Sequence, residues 1–523
     1  MITIEKFSSR RDLVSKIEKT RGENDRDQVC VFLPAKQGKL YIYPQSLKLN
    51  KKGGYFVAGL FNKRKALFIL GDAPLKVMQE YEGRFILHHS DFSIKKCRWS
   101  RSVARQLRVD FPQYAPAISR EEPASISFGD ALGLAGRAQL QIFNEKASLA
   151  FSRQCVHKMR QLGVYPEDTL DNVTQTVFQE GYEKKYAAEA CNLTTEEDIE
   201  EMLAAGYNRL SIEPAGKSMF SARDLTKKEL LEEALHLPWI DLRDKFELLF
   251  HRYQGKRIEI LTDTTEETEE EATPLEIMPS ESQVLSAMNL FSRVLLHVVE
   301  MERILSTHVA NDQVLLELSF MQTGEELTPF EHYFLINELS RHNVYPDFLA
   351  PGSLSEEHFL IAKHFGQYGL TGTADSLESG DGESWLDVFL RLSERWQSHG
   401  IHLHLVYPDI SYITALECIA VEQPELFGEI WDISRKRFIK AEASGYSDLK
   451  IQHIPTIDMM SDEDLKKLVH QEYSQEFLEL TMPFVLNEKD HHGNRYYRKK
   501  IFDFLNDNES VYTEALMKRY LLD

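Results

Sequence analysis

The sequence predicts an α/β fold, a (β/α)8 TIM-like barrel with an N-terminal α/β module and a C-terminal helical extension. Three observations predict it. Residues 1–120 carry short strand-like runs closed by turn residues; residues 121–455 alternate short apolar runs with amphipathic helical segments; and residues 456–523 read as helices with few strand signals.

In the first module the strand runs are Val29 to Leu33, Leu40 to Tyr43, Tyr55 to Leu60 and Ala66 to Leu70. A polar stretch from Pro116 to Pro123 leads into the second regime, whose candidate strands are Ser125 to Gly129, Ala147 to Phe151, Ala187 to Cys191, Arg209 to Glu213, Val314 to Phe320, Asp347 to Ala350, Gly369 to Thr373 and Ile401 to Val406. The third is the weakest of these. Helix-start chemistry follows most of them: Thr194 with Glu197 has capping-box spacing, and Thr328, Pro329 and Glu331 fit N-cap, N1 and N3. Eight strands each trailed by a helix imply a closed barrel. An open doubly wound sheet is the alternative, but no Gly-rich dinucleotide turn follows any strand. The run Asp263 to Glu271, within an insertion of about residues 263–280, is almost wholly acidic and polar and is expected to be a mobile loop. Ser280 and Gln283 then cap a long helix with Val284, Met288, Phe291, Leu295 and Val298 on one face. Leu465, Leu468 and Phe477 are the apolar anchors of the extension.

Composition narrows the function. The chain has 523 residues, 42% of them apolar, yet no run approaches the roughly 20 consecutive apolar residues of a spanning helix. Met1 to Arg11 mixes charge and polarity where a signal peptide would place an apolar block, so a cytoplasmic location is expected. Cys30, Cys97, Cys155, Cys191 and Cys418 are scattered, without C-x-x-C pairing, and are expected as free thiols. A net charge of −21 argues against nucleic acid and anionic membrane as partners, while one well-placed Arg still suffices for a small anion.

Gly129-Asp130-Ala131-Leu132-Gly133 resembles the GDRLG signature of the tagaturonate/fructuronate epimerases, a family that looks like metal-dependent 3-epimerases of hexuronates. Phe151-Ser152-Arg153-Gln154 looks like that family's FAQQ, Val177-Phe178-Gln179-Glu180-Gly181 matches its VFQEG, and Thr328-Pro329-Phe330-Glu331-His332 resembles its SPLEH. Ser411-Tyr412 with Ala415-Leu416 echoes SYLEAL, and Pro424-Glu425-Leu426-Phe427 with Glu429-Ile430 echoes PELFREI. The matches keep their order over roughly residues 105–455.

The resemblance also implies losses. Cys191 and Asn192 stand where the family carries an apparent general base and a metal-ligand His, Thr373 stands for a second His, Ala131 for the signature Arg, and Met321 and Gln322 for an acidic pair. Glu317 remains at the position of the apparent proton donor. Epimerisation beside a carbonyl needs a base, an acid and an electrophile to hold the enediolate, so the parent reaction is expected to be lost or altered.

The candidate catalytic residues are Glu317, Glu180 and Cys191, and the candidate substrate contacts are Asp130, Gln154, Gln179 and Arg153. Each has a plainer reading. Glu317 fits a buried partner for an Arg, Glu180 and Asp130 fit caps on backbone amides, and Cys191 fits an inert buried thiol. No cofactor is expected. A divalent Mn, Ni or Zn is implied only by a rebuilt site, for which His402 and His404, on one face of a strand with Glu317 as third ligand, are the alternative. Three functions follow: a binder of a small-molecule sugar acid, an epimerase or isomerase with a rebuilt site, and a protein-interaction scaffold.

Overall fold

The computed structural model describes residues 2–522 apart from 22–27, 34–37, 73–74, 89–91, 121, 123, 262–273, 311, 322–323, 378–383, 443–453 and 458–459. Its N-terminal module is a sheet of β1 (Ile2–Ile4), β2 (Val29–Phe32), β3 (Lys39–Ile42), β4 (Lys48–Leu49), β5 (Tyr55–Phe61), β6 (Arg64–Gly71), β7 (Arg84–His88) and β8 (Ser93–Arg98). The order is β1-β2-β3-β5-β6-β8-β7, with β4 paired to β5. Period-two alternation buries both faces. Val57, Phe68 and Leu70 pack with Leu13, Val14 and Ile17 of the helix Arg10–Arg21, while Phe56, Ala58, Leu67 and Ile69 join the core shared with the second module. The four strand runs expected here are all strands, and β1, β4, β7 and β8 complete the sheet.

The second module is a closed parallel barrel. β9 (Ala124–Gly129), β10 (Ser148–Cys155), β11 (Tyr186–Leu193) and β12 (Arg209–Ile212) precede a short antiparallel hairpin, β13 (Ile258–Ile260) and β14 (Leu275–Ile277). β15 (Leu315–Ser319), β16 (Phe348–Ala350), β17 (Gly369–Thr373) and β18 (His402–Tyr407) complete the ring, and β18 closes on β9. All eight expected strands are present, including the weak third one. The hairpin was not foreseen, because two three-residue strands give too little alternation to read. The acidic run Asp263 to Glu271 between them lies outside the described residues.

Local chemistry starts the helices. Thr328 caps Pro329–Arg341 with Glu331 closing the capping box, and Ser280 with Gln283 does the same for Glu281–His308. The third box is shifted from its expected position. Thr195, not Thr194, caps Glu196–Ala205 with Asp198, not Glu197, at the third position. Thr194 keeps a part, since its amide also donates to the Asp198 carboxylate at 3.0 Å. Glu281–His308 has the length of a bilayer-spanning helix, and it buries Val284, Met288, Phe291, Leu295 and Val298 against the barrel's outer layer.

The C-terminal helices Asp462–Leu468, Glu472–Asn487, Tyr496–Asp507 and Glu509–Leu522 are structurally continuous with the barrel. The last wedges between Gly136–Phe143 and Ser411–Glu422, where the Tyr520 ring lies 5.1 Å from that of Phe128 and 5.2 Å from that of Tyr407. Phe128 and Tyr407 face outward from adjacent strands β9 and β18. The final helix therefore covers barrel wall that those two barrel helices leave open.

Candidate functional site

Two bulges decide what points into the barrel. The pairing of β10 with β11 slips between Phe151 and Gln154, with Ser152 at φ 56°, and that of β11 with β12 slips between Ala190 and Leu193, with Asn192 at φ 60°. An extra residue in a strand reverses the facing of the side chains after it. In β10 the bulge turns Arg153 inward, where Nε donates to Glu189 Oε1 at 2.8 Å. In β11 it sends Leu193 out to the helix layer beyond inward-facing Cys191.

The barrel interior is a charged network. Arg209 Nη2 donates to Glu317 Oε2 at 2.6 Å and lies 3.2 Å from Thr371 Oγ1. Thr371 and Ser211 also donate to the Glu317 carboxylate, at 2.6 and 2.9 Å. The other edge of Arg209 faces Glu189, Nε to Oε2 at 3.4 Å, and its guanidinium sits 3.9 Å from the Phe348 ring centre. His404 Nε2 is 3.0 Å from Glu189 Oε2. Ser125 Oγ lies 2.6 Å from His404 Nδ1 and 2.8 Å from His402 Nε2, and His402 Nδ1 lies 2.8 Å from the Glu122 carbonyl.

Two arginines balance two glutamates, so the buried charge is neutral in sum. Burial raises the Glu189 carboxyl, but His404, Arg153 and Arg209 together hold it well below the usual carboxylate range. Burial, reinforced by Arg209, lowers both imidazoles, His402 to about 3. A neutral His402 donates Nδ1–H to the carbonyl, and a neutral His404 donates Nε2–H to Glu189. Their remaining nitrogens then share the one hydroxyl proton of Ser125. Burial pushes the Cys191 thiol up to about 12 against the pull of Arg153, so it is protonated at neutral pH and a poor base or nucleophile.

Access is confined to one member. The side chains of Arg209, Glu189, Glu317 and His404 are 0–2% exposed, while Arg153 at the strand C-termini is 16% exposed. Among the described residues no three His, Cys, Asp or Glu side chains are grouped to hold a metal ion. The His402/His404/Glu317 alternative fails on direction, because His404 turns to Glu189 and His402 to Ser125 and the Glu122 carbonyl. The residues present do not fit the ion that the family resemblance implies.

Asp130 and Gln154 lie at the same mouth but hold backbone. The Asp130 carboxylate accepts the amides of Gly133 and Ala135, both at 2.8 Å, and Gln154 Nε2 donates to the Asp130 carbonyl at 2.7 Å. Burial and then Asp409 push Asp130 up to about 7. Asp409, after β18, accepts the Ala131 amide at 2.9 Å and the Ser411 hydroxyl at 2.7 Å, joining the first and last strand ends. Gly129 is required there, since a Cβ would sit 2.5 Å from that of Asp409. Glu189, Arg209, Ser125 and Asp409 were not singled out by sequence; only the Asp409–Ser411 spacing carried a helix-start signal.

Gln179 and Glu180 are elsewhere. They end the outer helix Pro166–Gln179, so VFQEG belongs to a helix C-terminus and not to a strand end. Gln179 Nε2 bonds Glu180 at 3.0 Å and Glu509 at 3.2 Å, Arg137 Nε pairs with Glu180 at 3.2 Å, and Lys65 and Tyr43 reach Glu509, each at 3.0 Å. Burial pushes the Glu180 carboxyl up, whereas Lys65 and Arg137 overcome the effect of burial on Glu509 and hold it near 2. This cluster ties N-terminal sheet, barrel helices and final helix together. Glu509→Gln is expected to cost about 1.5–3 kcal/mol, the range for a hydrogen bond to a charged group, in urea unfolding.

A family model described as tagaturonate epimerase (UxaE) matches residues 43–521. A tagaturonate/fructuronate epimerase of Thermotoga maritima is 24% identical over 444 residues, which is 81% of this chain and 84% of that protein. The native crystal structure of a fructuronate-tagaturonate epimerase of Cohnella laeviribosi matches with a TM-score of 0.75 at 21% identity, over 92% of this chain and 96% of that one. A glycerol complex of that epimerase matches with the same TM-score and identity, over 92% and 94%. At this identity the likeness shows the fold.

Proposed function

Since the chain belongs to the tagaturonate epimerase family, we propose that it binds a hexuronate-type sugar acid at the barrel mouth, with the family's metal-dependent epimerisation lost or altered. Arg153 carries the reading. It is the only member of the interior network with appreciable side-chain exposure among those compared above, and its planar guanidinium suits a carboxylate. The supporting chemistry is the state of the remaining acids. Glu189 and Glu317 are both tied up by arginine, and Cys191 stays a thiol, so no freed base stands ready beside a sugar carbon.

The test is thermal unfolding with tagaturonate and fructuronate in the presence of a chelator. Ligand at a hundred times its Kd stabilises by about 2.7 kcal/mol, enough for a clear rise in Tm. Arg153→Gln is expected to abolish that rise. Interconversion of the two hexuronates on adding Mn²⁺, Ni²⁺ or Zn²⁺ would overturn the loss of chemistry. No rise with either sugar acid would overturn binding and leave the barrel a structural role.

A further inference from the structure

Away from the barrel mouth, a groove of about 1110 Å³ opens where the β5–β6 turn and strands β7 and β8 meet the helices Pro166–Gln179 and Tyr496–Asp507. Seven cations line it; Lys65 pairs with Glu509 at 3.0 Å, and the other six, Lys63, Arg64, Arg84, Lys96, Arg98 and Lys499, pair with no carboxylate among the described residues. In a chain of net charge −21 such a concentration runs against the composition. It also runs against the sheet. Arg84 and Lys96 are register partners across β7 and β8, and like charges set opposite one another destabilise a strand pair. Burial, with Arg84 and Arg64, accordingly lowers the Lys96 ammonium pKa. A destabilising arrangement of unpaired cations around a cavity is the form an anion site takes before its ligand arrives.

We infer that this groove binds a carboxylated oligosaccharide, an oligouronate. The volume exceeds the roughly 300–1,000 Å³ of ordinary small-molecule pockets, so it is too large for one sugar acid. Half-buried Trp99 and Phe502 offer apolar faces to sugar rings, while the amides of Asn172 and Gln175 serve hydroxyls as donors and acceptors. Glu82, Asp503 and Asp507 share the wall. They suit hydroxyl donors and repel the denser charge of phosphate, which sets an oligouronate ahead of a polyphosphate or nucleic acid. The inference rests on the groove alone and stands apart from what the barrel mouth holds.

Calorimetric titration of the full chain with a linear trimer of galacturonic acid at low ionic strength tests it. Saturable binding is expected, weakened at least tenfold by the double substitution Arg84→Gln, Lys96→Gln and unaffected by Arg153→Gln. The Tm of the double variant is expected to be unchanged or higher, because a like-charge pair is relieved, which separates a ligand site from a structural one. Absence of saturable binding, or binding indifferent to the double substitution, would overturn the proposal. So would equal affinity for neutral maltotriose, which would remove the role of charge, or equal affinity for inorganic tripolyphosphate, which would remove the saccharide.

Discussion

Replacing Glu317 by Ala is expected to destabilise the barrel by about 3–5 kcal/mol, the cost of leaving one member of a buried ion pair without its partner. Arg209, buried in the barrel interior, would keep Glu189 at 3.4 Å, Thr371 at 3.2 Å and the Phe348 ring at 3.9 Å. Replacing both charges by apolar residues of similar volume is a different experiment. Exchange of a buried pair for well-packed hydrophobics is often neutral or stabilising, so Arg209→Met with Glu317→Leu is expected to recover most of the single-variant loss. Urea unfolding of the two single variants and the double gives the coupling energy directly. A Glu317→Ala variant within about 1 kcal/mol of the parent, in the range of an exposed pair, would mean that Arg209 does not depend on it. Glu317 would then return to the list of groups free to act on a ligand.

The same carboxylate shows how far the sequence could be read. The barrel strands were legible because they are short apolar runs, most of them followed by a helix start. What joins them inside was not legible. Arg209 and Glu317 are separated by 108 positions, and a single charged residue in an apolar run reads as an exception until the partner strand is placed beside it. Bulges were hidden for a related reason. Ser152 and Asn192 adopt left-handed backbone angles usually left to glycine, so nothing in the residue types announced that Arg153 would turn inward. Strict alternation would have sent it to the helix layer. The sequence does not place VFQEG on an element, because its helix, Pro166–Gln179, follows a first short one, Val156–Leu162, and a helix pair between two strands breaks the simple alternation. The C-terminal helices looked like an appendage because no local pattern reports that Tyr520 seats against Phe128 and Tyr407; the family match to residue 521 agrees with their being integral.

Acid is expected to unfold this protein earlier than its carboxylates alone would require, because its buried imidazoles are held neutral. Burial lowers His332 and His402 to about 3, reinforced by the His358 ring at the first and by Arg209 at the second, and it lowers His358 and His404 in the same direction, at His358 against the Leu327 carbonyl and nearby glutamates. His332 and His358 face one another, Nδ1 to Nδ1 at 3.0 Å, with the Gln367 amide 3.0 Å from His332 Nε2 and the Leu327 carbonyl 3.0 Å from His358 Nε2. Unfolded histidines titrate near 6.5, so the unfolded chain takes up protons below that pH while the folded one does not. For His332 and His402 the stabilising effect is complete above about pH 6.5 and is lost as the pH falls toward 3, at about 1.4 kcal/mol per pH unit for each group, and His358 and His404 act in the same direction. Asp130 works the other way. Its carboxyl, raised to about 7, takes a proton in the folded state before the unfolded one does, and so offsets one histidine between about pH 7 and 4. Setting His332 and His402 against Asp130 leaves a net loss of roughly 3 kcal/mol between pH 6.5 and 4.5, to which His358 and His404 add. The His332→Gln variant separates this from general acid denaturation, because it removes one titrating ring and should flatten the dependence of unfolding free energy on pH by about 1.4 kcal/mol per unit in that window. An unchanged slope would show that His332 is protonated in the folded state as well.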